Sequence, residues 1–200
     1  MNPVIRNLLF FEKKQLLFHK PPVCINLITF GRNFVDASWT KTAVNTPNNA
    51  VIAPDGSFTG QSLVPNTAAG ASHLIGESTS ANGIYTFSFY AKAGLYPCVG
   101  ASNNPNNYVF FDLINGTISS LGTGWGLATM TPAGKGWYRC TVTNAGSQAW
   151  VNVYIYVINI AITDGNDGSG QRAFTANGTS GTYIWGAQLE IGTIASPYRF

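Results

Sequence analysis

Residues 83–92 read Gly83-Ile84-Tyr85-Thr86-Phe87-Ser88-Phe89-Tyr90-Ala91-Lys92, and their order decides the fold class. A strand sends successive side chains to opposite faces. Ile84, Thr86, Ser88 and Tyr90 therefore take one side, and Tyr85, Phe87, Phe89 and Ala91 take the other. Both sides carry apolar groups, which marks a central strand. The same period returns in Gly136–Thr143, with Trp137, Arg139, Thr141 and Thr143 opposite Tyr138, Cys140 and Val142. Short apolar or β-branched runs at Val23–Phe30, Ala149–Ile162 and Thr182–Glu190 add further expected strands.

Turns punctuate these runs. In Pro54-Asp55-Gly56 the proline presets φ and the glycine accepts positive φ. Asn115-Gly116, between Tyr108–Asp112 and Thr117–Ser120, is a strong hairpin signal. Strands and turns at this spacing predict an all-β, antiparallel sandwich over residues 25–200. Two hundred residues suffice for one such domain with a real core.

Composition agrees. Charged residues make up 10% of the chain, against roughly 25% in an average soluble protein. Gly, Asn, Ser and Thr take their place, and they serve turns and strand edges better than helix faces. The formal charge of +3 is unevenly placed. Arg6, Lys13, Lys14 and Lys20 oppose only Glu12 in residues 1–24, whereas seven cations balance seven acids over residues 25–200. A neutral body offers no electrostatic footprint for nucleic acid.

Residues 1–24 form a separate arm. Leu8, Leu9, Phe10 and Phe11, then Leu16, Leu17 and Phe18, flank the polar stretch Glu12-Lys13-Lys14-Gln15. The pattern suits one face of a helix or the two strands of a hairpin, and the sequence leaves both open. Pro21-Pro22 stops either element. The apolar run is too short for a signal peptide core and for a membrane span. Seven large hydrophobes in a tail mark a docking surface for another chain, so these residues are expected to anchor the protein. Folding back on the chain's own body is the main alternative, and a membrane-surface helix is the minor one.

Chemistry-bearing residues are sparse. Cys24, Cys98 and Cys140 form no C-x-x-C, so free buried thiols are expected and no metal or cofactor is implied. The only two histidines are His19 and His73. Among the acids, Asp112 and Glu190 are the pair that could face each other across a sugar. However, the first abuts a hairpin and the second closes a strand, where hydrogen bonding in the turn and at the strand end is the expected role. Asp164-Gly165-Asn166-Asp167-Gly168 resembles half a calcium loop but lacks the twelfth-position glutamate, which falls at Thr175. A turn is expected there, as at Asn115-Gly116-Thr117 and Asn177-Gly178-Thr179. No catalytic set emerges, and the chain is read as a binding or structural protein rather than an enzyme.

Six stretches in order resemble the carbohydrate-binding-module-like β-sandwich of bacteriophage head-spike and tail-fibre proteins. They are Asn26-Leu27-Ile28 … Phe34 … Ser38-Trp39-Thr40-Lys41; Ala53-Pro54-Asp55-Gly56; Tyr85 to Gly94; Phe111-Asp112-Leu113 … Asn115-Gly116-Thr117; Gly136-Trp137-Tyr138-Arg139-Cys140; and Gly178-Thr179-Ser180-Gly181 … Ile184 to Glu190 … Gly192. The resemblance covers residues 25–200 and leaves the arm outside. It implies a jelly-roll-like fold, a virion location and a surface role in host recognition, and it implies no catalytic residues. Fibres and spikes of this kind favour a homotrimer. The expected partners are other virion proteins through the arm and a host-surface glycan. The alternative is a structural decoration or adaptor protein with no ligand of its own.

Within the resemblance, Trp39, Trp137 and Trp185 sit beside strand residues and are expected to pack in the core or at its corners. Trp125 stands apart in Gly122-Thr123-Gly124-Trp125-Gly126. An aromatic on a glycine-rich loop suits a stacking platform for a sugar ring, so Trp125 is the leading candidate for carbohydrate binding. Tyr96, Tyr108 and Trp150 follow it, near turns or strand ends.

Overall fold

The computed structural model describes residues 25–104, 107–118, 122, 124–159 and 173–198. The arm with its seven anchoring hydrophobes, Cys24, the calcium-like stretch 164–168 and the tail of the expected strand 149–162 lie outside the described residues.

The fold is an all-β sandwich of antiparallel sheets. The strands are β1 (Trp39–Thr42), β2 (Val44–Asn45), β3 (Gln61–Pro65), β4 (Ala71–Ser72), β5 (Leu74–Gly83), β6 (Tyr85–Lys92) and β7 (Cys98–Asn104). They continue with β8 (Asn107–Asp112), β9 (Thr117–Ile118), β10 (Trp125–Gly134), β11 (Trp137–Asn144), β12 (Gln148–Ile158), β13 (Ala173–Phe174) and β14 (Thr182–Ile191). The first sheet runs β1-β5-β12-β7-β8-β9 and the second β10-β11-β6-β14-β3-β2, with a small β13-β4 pair beside them.

Alternation builds the core. Phe87, Phe89 and Ala91 of β6 face inward with Cys140 and Val142 of β11. They meet Val109 and Phe111 of β8 and Trp150, Val153 and Ile155 of β12 from the first sheet. Phe89 and Phe111 touch edge to face across the layers, centroids 6.2 Å apart. Each such buried side chain contributes about 1.5–3 kcal/mol against its exposure in the unfolded chain. Cys98 and Cys140 are both buried, on different sheets, and are not joined in a disulfide.

The Asn-Gly hairpin forms as expected. β8 pairs with β9, the amide of Gly116 donates to Asp112 O at 2.9 Å, and Gly116 takes φ +68°. Asp112 Oδ1 accepts from the amides of Ile114 and Asn115. The Pro54 turn closes with the Gly56 amide donating to Ala53 O at 3.0 Å.

Val23–Phe30 departs from expectation. Residues 25–28 form no strand. The Asn26 side chain replaces a ladder partner there: its Nδ2 donates to Ala187 O and its Oδ1 accepts from the Leu189 amide. Two backbone bonds, Leu27 amide to Leu189 O and Ala187 amide to Gly31 O, complete the docking on β14.

β14 carries the feature that positions the outer face. Its register against β6 shifts between Trp185 and Gln188, and Gly186 sits there at φ +62°. That backbone region suits glycine, and the extra residue is a β-bulge. The bulge resets the alternation. Trp185 points outward, Ala187 and Leu189 point into the core, and Gln188 and Glu190 return to the outer face.

Candidate binding face on the second sheet

The outer face of the second sheet is a grid of three cross-strand rows. Leu127, Thr143, Thr86 and Glu190 form one, and Thr129, Thr141, Ser88 and Gln188 the next. Thr131, Arg139, Tyr90 and Trp185 form the third. Six of the twelve positions are Thr or Ser, because Thr86, Ser88, Thr129, Thr131, Thr141 and Thr143 fall in the outward phase of β6, β10 and β11.

Neighbouring hydroxyls pair. Thr129 Oγ1 bonds Thr141 Oγ1, and Thr86 Oγ1 bonds Thr143 Oγ1 at 2.8 Å. Thr86 Oγ1 also donates to Gly192 O, so in the second pair it accepts the proton of Thr143.

Residues 192–198 cross this grid as a strap. Glu190 Oε2 accepts from the Ser196 amide at 3.0 Å, and its Oε1 accepts from the Ser196 hydroxyl. Arg139 Nη2 donates to Ser196 O and to Ser88 Oγ. Tyr198 then packs on Trp185, centroids 4.6 Å apart. Trp137, Trp185 and Ala53 form a satellite apolar cluster beneath that end of the strap. Burial raises the Tyr198 phenol above its ordinary 10.0, and a hydrogen bond with Arg32 partly offsets this.

The strap roofs Glu190, Gln188 and Ser88 completely. Between it and β10 a groove of about 440 Å³ stays open. Tyr90, Arg139, Thr141 and Thr129 form its floor, with Leu127 on the β10 rim and Ile194 on the strap. The Arg139 guanidinium lies over the Tyr90 ring, 5.6 Å from its centroid. A second hollow of about 620 Å³ lies on the other flank of the strap, lined by Asn26, Thr29, Arg32 and Tyr198.

The four expected sugar-binding aromatics are not brought together. Trp125 is a correction: it opens β10, is 5% exposed, and turns into the core. The neighbouring glycines cause this by close packing rather than by exposure. A Cβ at Gly126 would stand 2.9 Å from Ala145 Cα, so β10 lies tight on the turn after β11 and the indole tucks inward. Trp150 is fully buried on the inner face of β12. Tyr96 is 4% exposed, and its hydroxyl accepts from the Asn177 amide. Tyr108 is half-buried on the outer face of the first sheet, stacked on Phe110 at 5.9 Å. None of the first three offers a ring face to a ligand. Trp39, Trp137 and Trp185 are buried as expected.

Asp112 and Glu190 lie on the outer faces of different sheets, one in its hairpin turn and the other holding the strap. Sequence reading missed the grid itself. Its signal was there in the repeated Thr-x-Thr of residues 129–131 and 141–143 and in Thr86-x-Ser88, all in the outward phase.

The architecture defines a class, an antiparallel β-sandwich with a hydroxyl-lined groove on one outer face. No family model matches the chain, and no curated protein matches it. Among solved structures it is similar to the enzymatically active domain of tailspike protein 4 of bacteriophage CBA120. The identity is 15% and the TM-score 0.45, over 84% of this chain and 22% of that one. The chain thus spans about a fifth of that structure's length, and a likeness this distant carries no functional weight.

Proposed function

We propose that the chain is a bacteriophage virion structural protein, a head or tail fibre, spike or decoration component, whose β-sandwich binds host-surface glycan. The groove over the second sheet carries the binding half of this reading. Ligand sites combine an apolar surface with a few placed polar groups. Here threonine hydroxyls, the Tyr90 ring and one guanidinium line a concave space of about 440 Å³. The virion half rests on the six ordered stretches that resemble phage head-spike and tail-fibre modules. Residues 1–24 serve as the anchoring arm, and a homotrimer is the favoured assembly.

The role assigned is binding rather than cleavage. Asp112 and Glu190 spend their carboxylate oxygens on the hairpin turn and the strap. A second reading, a decoration protein without a ligand, draws on the mutual pairing of Thr129 with Thr141 and Thr86 with Thr143. An array of bacterial surface polysaccharides separates the two. The chain should bind at least one polymer, and Thr131→Trp, which fills the groove rim, should abolish that binding without changing the melting temperature. No binding by the unsubstituted chain favours the decoration protein.

A further inference from the structure

The groove holds a cation without a counter-charge. Arg139 is the charged residue that lines it, among threonines, Tyr90 and apolar side chains, and no described carboxylate joins it there. Both hydrogen bonds of the guanidinium leave from Nη2, toward Ser88 Oγ and Ser196 O. Among the described residues, Nε is buried without a partner and Nη1 donates to none. Glu190, which also holds Ser196, is already occupied by Ser196 and Gln188. Burying part of a guanidinium costs free energy unless an anion or enough acceptors meet it. The two N–H groups of Nη1 remain, and a carboxylate accepts from them more strongly than a neutral hydroxyl does.

We infer that the groove selects acidic sugars, carboxylate-bearing residues such as uronic or nonulosonic acids, with Arg139 meeting the carboxylate and the threonine rows meeting the ring hydroxyls. The inference rests on the glycan-binding reading and narrows it. Tyr90 fits the scheme. Its ring lies under the guanidinium and helps to keep the charge at the groove floor. Thr131 stands directly across the ladder from Arg139 and is exposed on the rim, so a carboxylate there supplies an internal competitor.

The test uses the full chain with polysialic acid, polygalacturonic acid and bacterial capsular polysaccharides, each native and carboxyl-reduced, at about physiological ionic strength, where exposed long-range charge effects are screened. At least one native polymer should bind tenfold or more tighter than its reduced form. Thr131→Glu should erase that preference and Thr131→Gln should keep it, with both variants melting like the parent. Equal binding of native and reduced polymers overturns the inference and leaves glycan binding standing. Binding of none of the polymers overturns both.

Discussion

The rings of Trp125 and Trp150 meet edge to face, centroids 5.4 Å apart, one contributed by each sheet. Among the described residues, neither buried indole N–H finds a partner. The pair closes one end of the core, so Trp125 acts there as a packing residue. Trp125→Ala should cost about 3–5 kcal/mol, the usual range for a buried Trp. Chemical denaturation of Trp125→Ala beside Trp185→Ala checks this. The two should be destabilised comparably, and a Trp125→Ala protein as stable as the parent would show the indole to be dispensable.

Glu77 faces the sandwich interior and is 5% exposed. Burial raises its carboxyl above the ordinary 4.5. The Thr29 amide pulls it partly back, and Asp36 pushes it further up. Between the ordinary value and the raised one, the folded chain therefore binds more protons than the unfolded chain. Stability falls as pH rises from the ordinary value through the folded one. Glu77→Gln should melt higher than the parent at pH 7 and identically below about pH 4, where both side chains are neutral. Parallel melts across that range read the difference directly. A variant less stable at pH 7 would mean that the charged form is favoured.

Ser196 is held on three sides, by Glu190, Arg139 and Gln188. Removing the carboxylate by Glu190→Ala leaves the Ser196 amide without its acceptor, a loss of about 1–3 kcal/mol for a buried polar group. Amide hydrogen exchange should accelerate over residues 193–198 and stay slow in β6 and β11. Uniform acceleration across the sheet would mean that the strap is part of one cooperative unit.

Residues 25–200 should fold without the arm, because the sheets and the core close among themselves. Circular dichroism and melting of that fragment check it. Deletion of residues 1–21 from the whole protein should then lower its copy number on purified particles. Normal occupancy would remove the anchoring role, and an unfolded fragment would make the arm part of the fold.

Legibility in the sequence followed hydrophobic contrast. β6 and β11 alternate large apolar residues with small or polar ones, so their existence and facing could be read directly, whereas the apolar runs of β12 and β14 showed a strand but not its facing. β5 reads Leu-Ile-Gly-Glu-Ser-Thr-Ser-Ala-Asn-Gly and β10 carries Gly126 and Pro132, so neither shows a strand's contrast. Tertiary pairing makes them strands: β5 lies between β1 and β12, and β10 takes the sheet edge where a proline is tolerated. Missing β10 led directly to reading Trp125 as a loop residue. The outer grid was hidden for a different reason. Its residues converge only when the Gly186 bulge returns Gln188 and Glu190 to the face of Tyr90 and Ser88, and register is not visible in one strand alone.

The central claim, that the outer groove of the second sheet binds host glycan, is tested most directly by nuclear magnetic resonance. The isotope-labelled chain is titrated with capsule and O-antigen polysaccharide from the bacterium that the particles adsorb to. The account predicts amide shifts concentrated on Tyr90, Thr129, Thr131, Arg139 and Thr141, saturating together. Shifts confined to the first sheet around Tyr108 and Tyr154, or none at saturating polysaccharide, would contradict it.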